Sequence, residues 1–198
     1  MKFIIKPAST LFITAVITVA VLSVVYNLTL EPIENQKRRT QETVMREILP
    51  RATEYHEIET EKTGSITAVY EGYFSSDALD DKVLVGYVIQ LSPEGYSGKI
   101  DLVVGINRGI GKISGMRVLS HTETPGLGAL AVKENFYNRY ESMPLMPLTV
   151  VRNNPGEYEI QAITSATITT RAITNAVNEA IEWYLMNSPG TAETEDEE

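Results

Sequence analysis

The chain of 198 residues contains no cysteine. That absence excludes disulfides, thiolate zinc sites and iron–sulfur clusters held by this chain. Histidine is scarce, with only His56 and His121, so a histidine-rich metal site is poorly supplied. A Ser-His-Asp hydrolase would have to use one of these two, and neither stands beside a recognisable serine signal. There is no basic block: Lys+Arg is 17 against Asp+Glu 26, for a net charge of −9. Nothing in that balance neutralises a phosphate backbone, so no nucleic-acid partner is expected. Five of the acids, Glu193, Glu195, Asp196, Glu197 and Glu198, crowd the C-terminus, and the rest of the chain carries about −4, a mild surface property. The familiar loop signatures are missing too. Gly105 to Lys112 spaces its outer glycines by five residues instead of four, and Ile113 stands where a phosphate loop needs Ser or Thr. Gly109-Ile110-Gly111 with Gly115 misses the dinucleotide fingerprint by one residue. Gly95-Tyr96-Ser97-Gly98 is not a nucleophile elbow.

What is present begins with a long apolar run. Between Lys6 and Glu31 the chain has 24 residues without a charge, about 36 Å of helix, enough to cross a hydrocarbon core of about 30 Å. It is too long for a signal-peptide core, and Tyr26 to Leu30 lacks a small-x-small cleavage pattern. The run therefore predicts an uncleaved N-terminal membrane anchor. Lys2, Lys6 and the terminal amine favour a cytoplasmic N-terminus, while Lys37, Arg38 and Arg39 flank the other end. A short tail, one span and one large domain place that domain, by default, on the extracytoplasmic side of the inner membrane.

Beyond the anchor, Pro32 to Leu49 reads as a helix that is polar early and apolar late (Val44, Met45, Ile48, Leu49), stopped by Pro50. From Ser65 the pattern turns to strands: Ile66 to Tyr70, Lys82 to Leu91, Lys99 to Ile106 and Lys112 to Ser120, each bounded by turn residues. Ala129 to Tyr140 predicts a helix, Leu148 to Arg152 and Tyr158 to Ile163 short strands. From Ala166 a stripe of apolar residues, Ile168, Ala172, Ile173, Ala176, Val177, Ala180, Ile181, Tyr184 and Leu185, predicts a long amphipathic helix with Thr164 or Ser165 as its N-cap. The expected class is α+β: one transmembrane helix, then a single domain with a mainly antiparallel sheet and flanking helices. The expected boundaries are an anchor over 1–30, a connecting helix over 31–50, a domain over 51–188 and an acidic disordered tail over 189–198.

Two segments carry chemistry. In His121-Thr122-Glu123-Thr124-Pro125-Gly126-Leu127-Gly128, Pro-Gly suits the centre of a type II turn, and Gly128 permits close backbone approach. Polar residues before an apolar Leu127 suit a flat ligand with one polar edge, though the same residues also make an ordinary turn. In Gln161-Ala162-Ile163-Thr164-Ser165-Ala166-Thr167-Ile168-Thr169-Thr170, hydroxyl residues cluster where a strand gives way to a helix. Capping accounts for one or two of them. A phosphate received by the free N–H groups of the first turn is the other reading, and both stay open on the residues alone.

Together these segments, with the anchor and Gly95-Tyr96-Ser97-Gly98, give the chain a resemblance over nearly its whole length. It resembles the flavin-binding subunits of ion-translocating membrane redox complexes: the G subunit of the Rnf ferredoxin–NAD oxidoreductase and the C subunit of the sodium-pumping NADH–quinone reductase. In that family the last threonine of a Ser/Thr-Gly-Ala-Thr motif carries FMN as a phosphoester, attached by a flavin transferase. The corresponding residue here is Thr167. Two positions depart from the pattern, Ser165 where the family has Gly and Gln161 where it has Asp. The resemblance implies that Thr164, Ser165, Ala166 and Thr167 hold the phosphate and that Thr124, Gly126, Leu127 and Gly128 pack near the ring. Glu123, Tyr96, Ser97 and Gly98 are lesser candidates. It implies an electron-transfer subunit acting with other membrane subunits, and no catalytic acid or base. Length favours the Rnf-type subunit. The alternatives are the C subunit of the sodium pump, or a tethered binding or assembly domain whose hydroxyls only cap a helix.

Overall fold

The computed structural model describes residues 2–60, 63–76 and 79–188. The expected acidic tail lies outside the described residues. The chain divides into two units, Met1–Glu42 and Thr43–Glu198. A single helix, α1 (Lys2–Ile48), begins in the first and ends in the second. It runs through Pro7 and Pro32 without a break, where the sequence predicts a new helix at Pro32. A proline inside a helix removes one backbone bond, and the long run on either side holds the rest. The helix is long and apolar enough to cross a bilayer by length and composition. Its polar side chains bond back onto the helix. Thr14, Thr18, Asn27 and Thr29 donate to the carbonyls of Leu11, Thr14, Ser23 and Val25 at 2.8–2.9 Å, so none needs water.

The second unit is built on a five-stranded antiparallel meander. Its strands are β1 (Glu54–Ile58), β2 (Ile66–Ser76), β3 (Leu79–Leu91), β4 (Ile100–Asn107) and β5 (Lys112–His121), in spatial order β1-β2-β3-β4-β5. The side-chain period of two assigns residues to faces. Tyr87, Ile89 and Leu91 of β3 join Leu102, Val104 and Ile106 of β4 in the main core. Their alternates Val88 and Val103 join Met45, Ile48, Leu49 and Ala52 in a second core against the end of α1. Both faces of β4 are therefore covered, which is why it reads as a near-continuous apolar run. The end of α1 sits close to bare backbone: a Cβ at Gly72 would lie 2.6 Å from Leu49 Cδ2, and one at Gly115 3.2 Å from Ile48 Cγ2. Arg117 of β5 fastens the same helix end, donating to Glu47 at 2.9 and 2.6 Å while its guanidinium lies 3.6 Å over the Tyr137 ring.

The main core is closed by the last helix, α3 (Thr167–Asn187), whose Ile173, Ala176, Val177, Ala180, Ile181 and Tyr184 are buried at the predicted helical spacing. Each of the larger ones contributes about 1.5–3 kcal/mol by leaving water. Polar pins fix the helix along its length. The buried Tyr140 hydroxyl meets Thr174 Oγ1 at 2.8 Å, and burial pushes that phenol well above its usual pKa. Asn178 pairs through both amide atoms with the backbone of Leu148 at 2.8 and 2.9 Å. Glu179 accepts from the N–H and hydroxyl of Ser65, both at 2.7 Å.

Three expectations are corrected. The predicted helix over 129–140 is instead a 3₁₀ turn (Gly128–Val132), a one-turn helix α2 (Glu134–Tyr137) and a second 3₁₀ turn (Asn138–Tyr140). Lys133, extended at φ −85° and ψ 143°, separates the first two. The strand β1 has no counterpart in the sequence reading, because Glu-Tyr-His-Glu-Ile is an edge strand with little to bury. The N-cap of α3 is Ala166, which makes no side-chain cap bond; neither Thr164 nor Ser165 caps the helix. The short strands β6 (Thr149–Val151) and β7 (Glu159–Gln161) pair with each other in parallel and lead directly into that helix start.

Candidate functional site

Three chain segments converge beside the start of α3. The first is the β3–β4 turn, closed by Gly95 N–H donating to Gly98 O at 2.8 Å, with Tyr96 at its tip and 70% exposed. The second is the loop after β5. Leu127 N–H donates to Thr124 O at 3.1 Å and Gly126 has φ 77°, the arrangement expected of Pro-Gly in a type II turn. The third is the turn from Ile163 to Ala166, closed by Ala166 N–H donating to Ile163 O at 2.9 Å. Ser165 sits in that turn at φ 62°, in the left-handed region that favours glycine.

Glu123 joins the three. Its Oε1 accepts the N–H groups of Tyr96 and Ser97, each at 2.8 Å, and its Oε2 accepts the Thr169 hydroxyl at 2.6 Å. The residue is only 5% exposed. Burial alone would raise its pKa; the Ser97 N–H, the Thr169 hydroxyl, the Tyr96 N–H and nearby His121 outweigh that and hold the carboxyl below its usual range. A Cβ at Gly128 would stand 2.2 Å from Glu123 Oε2, so the backbone there approaches as closely as the glycine allows.

The hydroxyl cluster separates into two kinds. Thr169 is committed to Glu123, and Thr170 accepts from Ile163 N–H and donates to Ala166 O, both at 3.0 Å. These two are buried parts of the frame. Thr164, Ser165 and Thr167 have hydroxyls without a hydrogen-bond partner among the described residues, and Thr167 is half-buried. The first helical bond is donated by Thr170 to Ala166, so the N–H groups of Thr167, Ile168 and Thr169 precede it and are available to an acceptor.

A cleft of about 370 Å³ lies between these segments, with Tyr96, Leu127 and Ile168 as apolar walls and Glu123, Thr124, Gly128 and Ser165 to Thr169 completing it. Tyr96, Ile168 and Leu127 are 70%, 56% and 40% exposed, an apolar slot open to solvent of a size that takes a small-molecule cofactor. A second cleft of about 340 Å³ adjoins it and is lined by Arg152, Asn153, Ala162 to Ser165 and Thr167. Thr167 and Ser165 line both. Of the residues singled out from sequence, Tyr96, Glu123, Thr124, Leu127, Gly128, Ser165, Ala166 and Thr167 meet in the first cleft. Thr164 lines only the second. Ser97, Gly98 and Gly126 line neither; Ser97 serves through its N–H on Glu123, and the two glycines shape turns. The sequence reading missed Ile168, Thr169, Arg152 and Asn153. Ile168 was assigned to the apolar stripe of the helix, whereas it is 56% exposed and walls the cleft. Thr169 was one of the clustered hydroxyls with nothing to single it out, and Arg152 left no sequence signal.

An apolar slot, free first-turn N–H groups and an uncommitted threonine hydroxyl between two clefts fit a flavin mononucleotide, which has a flat ring, a polyol and a phosphate. Comparison with known proteins agrees with this chemistry. Residues 95–182 match the FMN-binding domain family, and residues 1–48 match the RnfG N-terminal region. The chain is 32% identical over 173 residues to the G subunit of the proton-translocating ferredoxin:NAD(+) oxidoreductase complex of Clostridium ljungdahlii, covering 87% of this chain and 86% of that one. It is 29% identical over 186 residues to the G subunit of the ion-translocating oxidoreductase complex of Methanosarcina acetivorans, covering 92% and 95%. It is 29% identical over 198 aligned positions to the Na(+)-translocating counterpart of Acetobacterium woodii, covering 92% of each. The crystal structure of the C subunit of the Na(+)-translocating NADH-quinone reductase from Parabacteroides distasonis superposes with a TM-score of 0.56 at 16% identity, over 79% of this chain and 95% of that one, a likeness of fold alone.

Proposed function

Because this chain belongs to the RnfG family of ion-translocating oxidoreductase complexes and contains its FMN-binding domain, we propose that it is the membrane-anchored electron-transfer subunit of an Rnf-type ferredoxin–NAD oxidoreductase and carries FMN as a phosphoester on Thr167. The observation that carries the reading is the state of the threonines. Thr169 and Thr170 are consumed by the frame, whereas Thr167 keeps a free hydroxyl where the two clefts meet. The first-turn N–H groups would hold the phosphate, and the helix dipole would favour its charge. Tyr96, Leu127 and Ile168 would hold the ring in the first cleft, with the Thr124 to Gly128 turn beside it. The cofactor supplies reversible electron uptake. The chain's own residues bind it, orient it and keep water from one side.

Covalent attachment suits a domain on the extracytoplasmic side, which has no cytoplasmic flavin pool to draw on. It requires a flavin transferase as a maturation partner, and the electrons come from and leave to other membrane subunits. The relatives belong to complexes that differ in coupling ion, proton in one and sodium in another. The test is in-gel flavin fluorescence of the denatured full-length protein co-expressed with a flavin transferase, beside Thr167→Ala. A fluorescent wild-type band and a dark variant are expected. Equal fluorescence in both would overturn the attachment site.

A further inference from the structure

The bond pattern of Glu123 does not require a charge. Its carboxylate offers about four acceptor sites and meets three donors, the Tyr96 and Ser97 N–H groups and the Thr169 hydroxyl. A glutamine would satisfy the same three groups, its carbonyl accepting both N–H groups and its amide donating to Thr169. Burying a charge is costly where no cation compensates it, and among the described residues no lysine or arginine pairs with Glu123. The structure nevertheless encloses that charge tightly. A Cβ at Gly95 would come 2.6 Å from its Oε1 and one at Gly128 2.2 Å from its Oε2. Glu123 is also part of the wall of the first cleft, and because it is itself only 5% exposed its charge is screened by water less than a surface charge would be. Reduction adds negative charge to a flavin, so a fixed anion beside the ring disfavours it.

We propose that Glu123 is a built-in negative charge that holds the midpoint potential of the flavin in this cleft low, beyond its part in joining the three segments. The inference rests on FMN occupying the first cleft. Among the described residues, His121, whose Nδ1 accepts the Glu123 N–H at 3.2 Å, is the one other titratable side chain that bears on this carboxyl.

The experiment is a redox titration at pH 7.5 of the full-length, flavin-loaded protein as wild type and as Glu123→Gln. The variant is expected to keep covalent flavin on a denaturing gel. Its midpoint potential should shift upward by about tenfold in the reduction equilibrium, about 30 mV for a two-electron couple. An unmoved or lowered potential in a loaded variant overturns the proposal. Thr169→Val provides an independent arm should the glutamine variant fail to fold. It keeps the charge but removes one neutralising donor, so the potential should move downward, opposite in sign to Glu123→Gln. A purely structural role gives no such reversal, and a raised or unmoved potential in Thr169→Val overturns the proposal as well. Absence of flavin from the wild-type protein would overturn the cofactor placement itself, a failure distinct from an unmoved potential in a loaded protein.

Discussion

Replacing Ser165 by glycine should make the chain more stable, against the usual effect of adding a glycine. Ser165 holds φ at 62°, where a residue with a Cβ pays about 1–2 kcal/mol. Its side chain is exposed and its hydroxyl makes no hydrogen bond among the described residues, so nothing is lost when it goes. Against that, glycine costs about 0.5–1 kcal/mol through the greater freedom of the unfolded chain. The net gain lies between about 0 and 1.5 kcal/mol, and its midpoint is roughly 1.5–3 °C in melting temperature for a domain of this size. Trp183 is the only tryptophan, 9% exposed and edge-on to Tyr87 at 5.6 Å. Its fluorescence therefore reports loss of the main core when the detergent-solubilised full-length chain is heated. Ser165→Val is the matched control, since a β-branched residue is least tolerant of positive φ, and it should melt below wild type. A glycine variant melting at or below wild type would refute the argument from backbone strain. The resemblance implies glycine at this position, and the positive φ of Ser165 would give such a glycine a conformational reason.

Other consequences follow from single contacts. Gly128→Ala should destabilise by about 1–3 kcal/mol in chemical unfolding and reduce flavin loading, because its Cβ meets Glu123 Oε2 at 2.2 Å and Thr169 Oγ1 at 2.7 Å. Tyr140→Phe should cost about 0.5–1.5 kcal/mol by the same assay, a modest loss because Thr174 keeps its own bond to Thr170 O at 2.9 Å. Gly86→Ala should be worse tolerated than most core changes, since its Cβ would lie 2.1 Å from the Ile106 carbonyl oxygen, a backbone atom that cannot swing aside; its expression and melting temperature test this. The Glu123 carboxyl has a folded pKa below its ordinary value. Its contribution to stability is therefore full above about pH 4.3 and fades as pH falls through the lower folded value. Acid unfolding of Glu123→Gln should lack that part of the pH dependence, and superimposable pH profiles would contradict it.

The elements that bury a regular stripe were legible. The α3 helix announced itself because Ile173, Val177 and Ile181 recur at helical spacing, and β3 to β5 because apolar runs bounded by turn residues mark strands that bury both faces. The edge strand β1 escaped notice because an edge has little to bury and so little pattern to show. The two chemical segments were found from turn residues and hydroxyls, and the structure brings them to one cleft. What sequence could not separate was which hydroxyl serves the frame. Thr169 and Thr170 look like Thr164 and Thr167 until the helix phase and the position of Glu123 are known. The positive φ of Ser165 was equally hidden, since serine gives no warning of a glycine conformation.

The glycine-lined seat for the end of α1 has a practical side. The second unit begins at Thr43, inside the helix, and Met45, Ile48 and Leu49 are 3%, 2% and 1% exposed against Val88 and Val103. A water-soluble version cut after Pro50 would strip that cover, laying bare a flat apolar sheet face of the kind that drives aggregation. Cutting before Thr43 instead keeps the cap, the Arg117–Glu47 clasp and the Tyr55 hydroxyl bonds to Met45 O and Leu49 O at 3.0 and 3.1 Å. In this chain the useful place to separate the soluble part from the anchor is partway along a helix rather than at the loop that follows it.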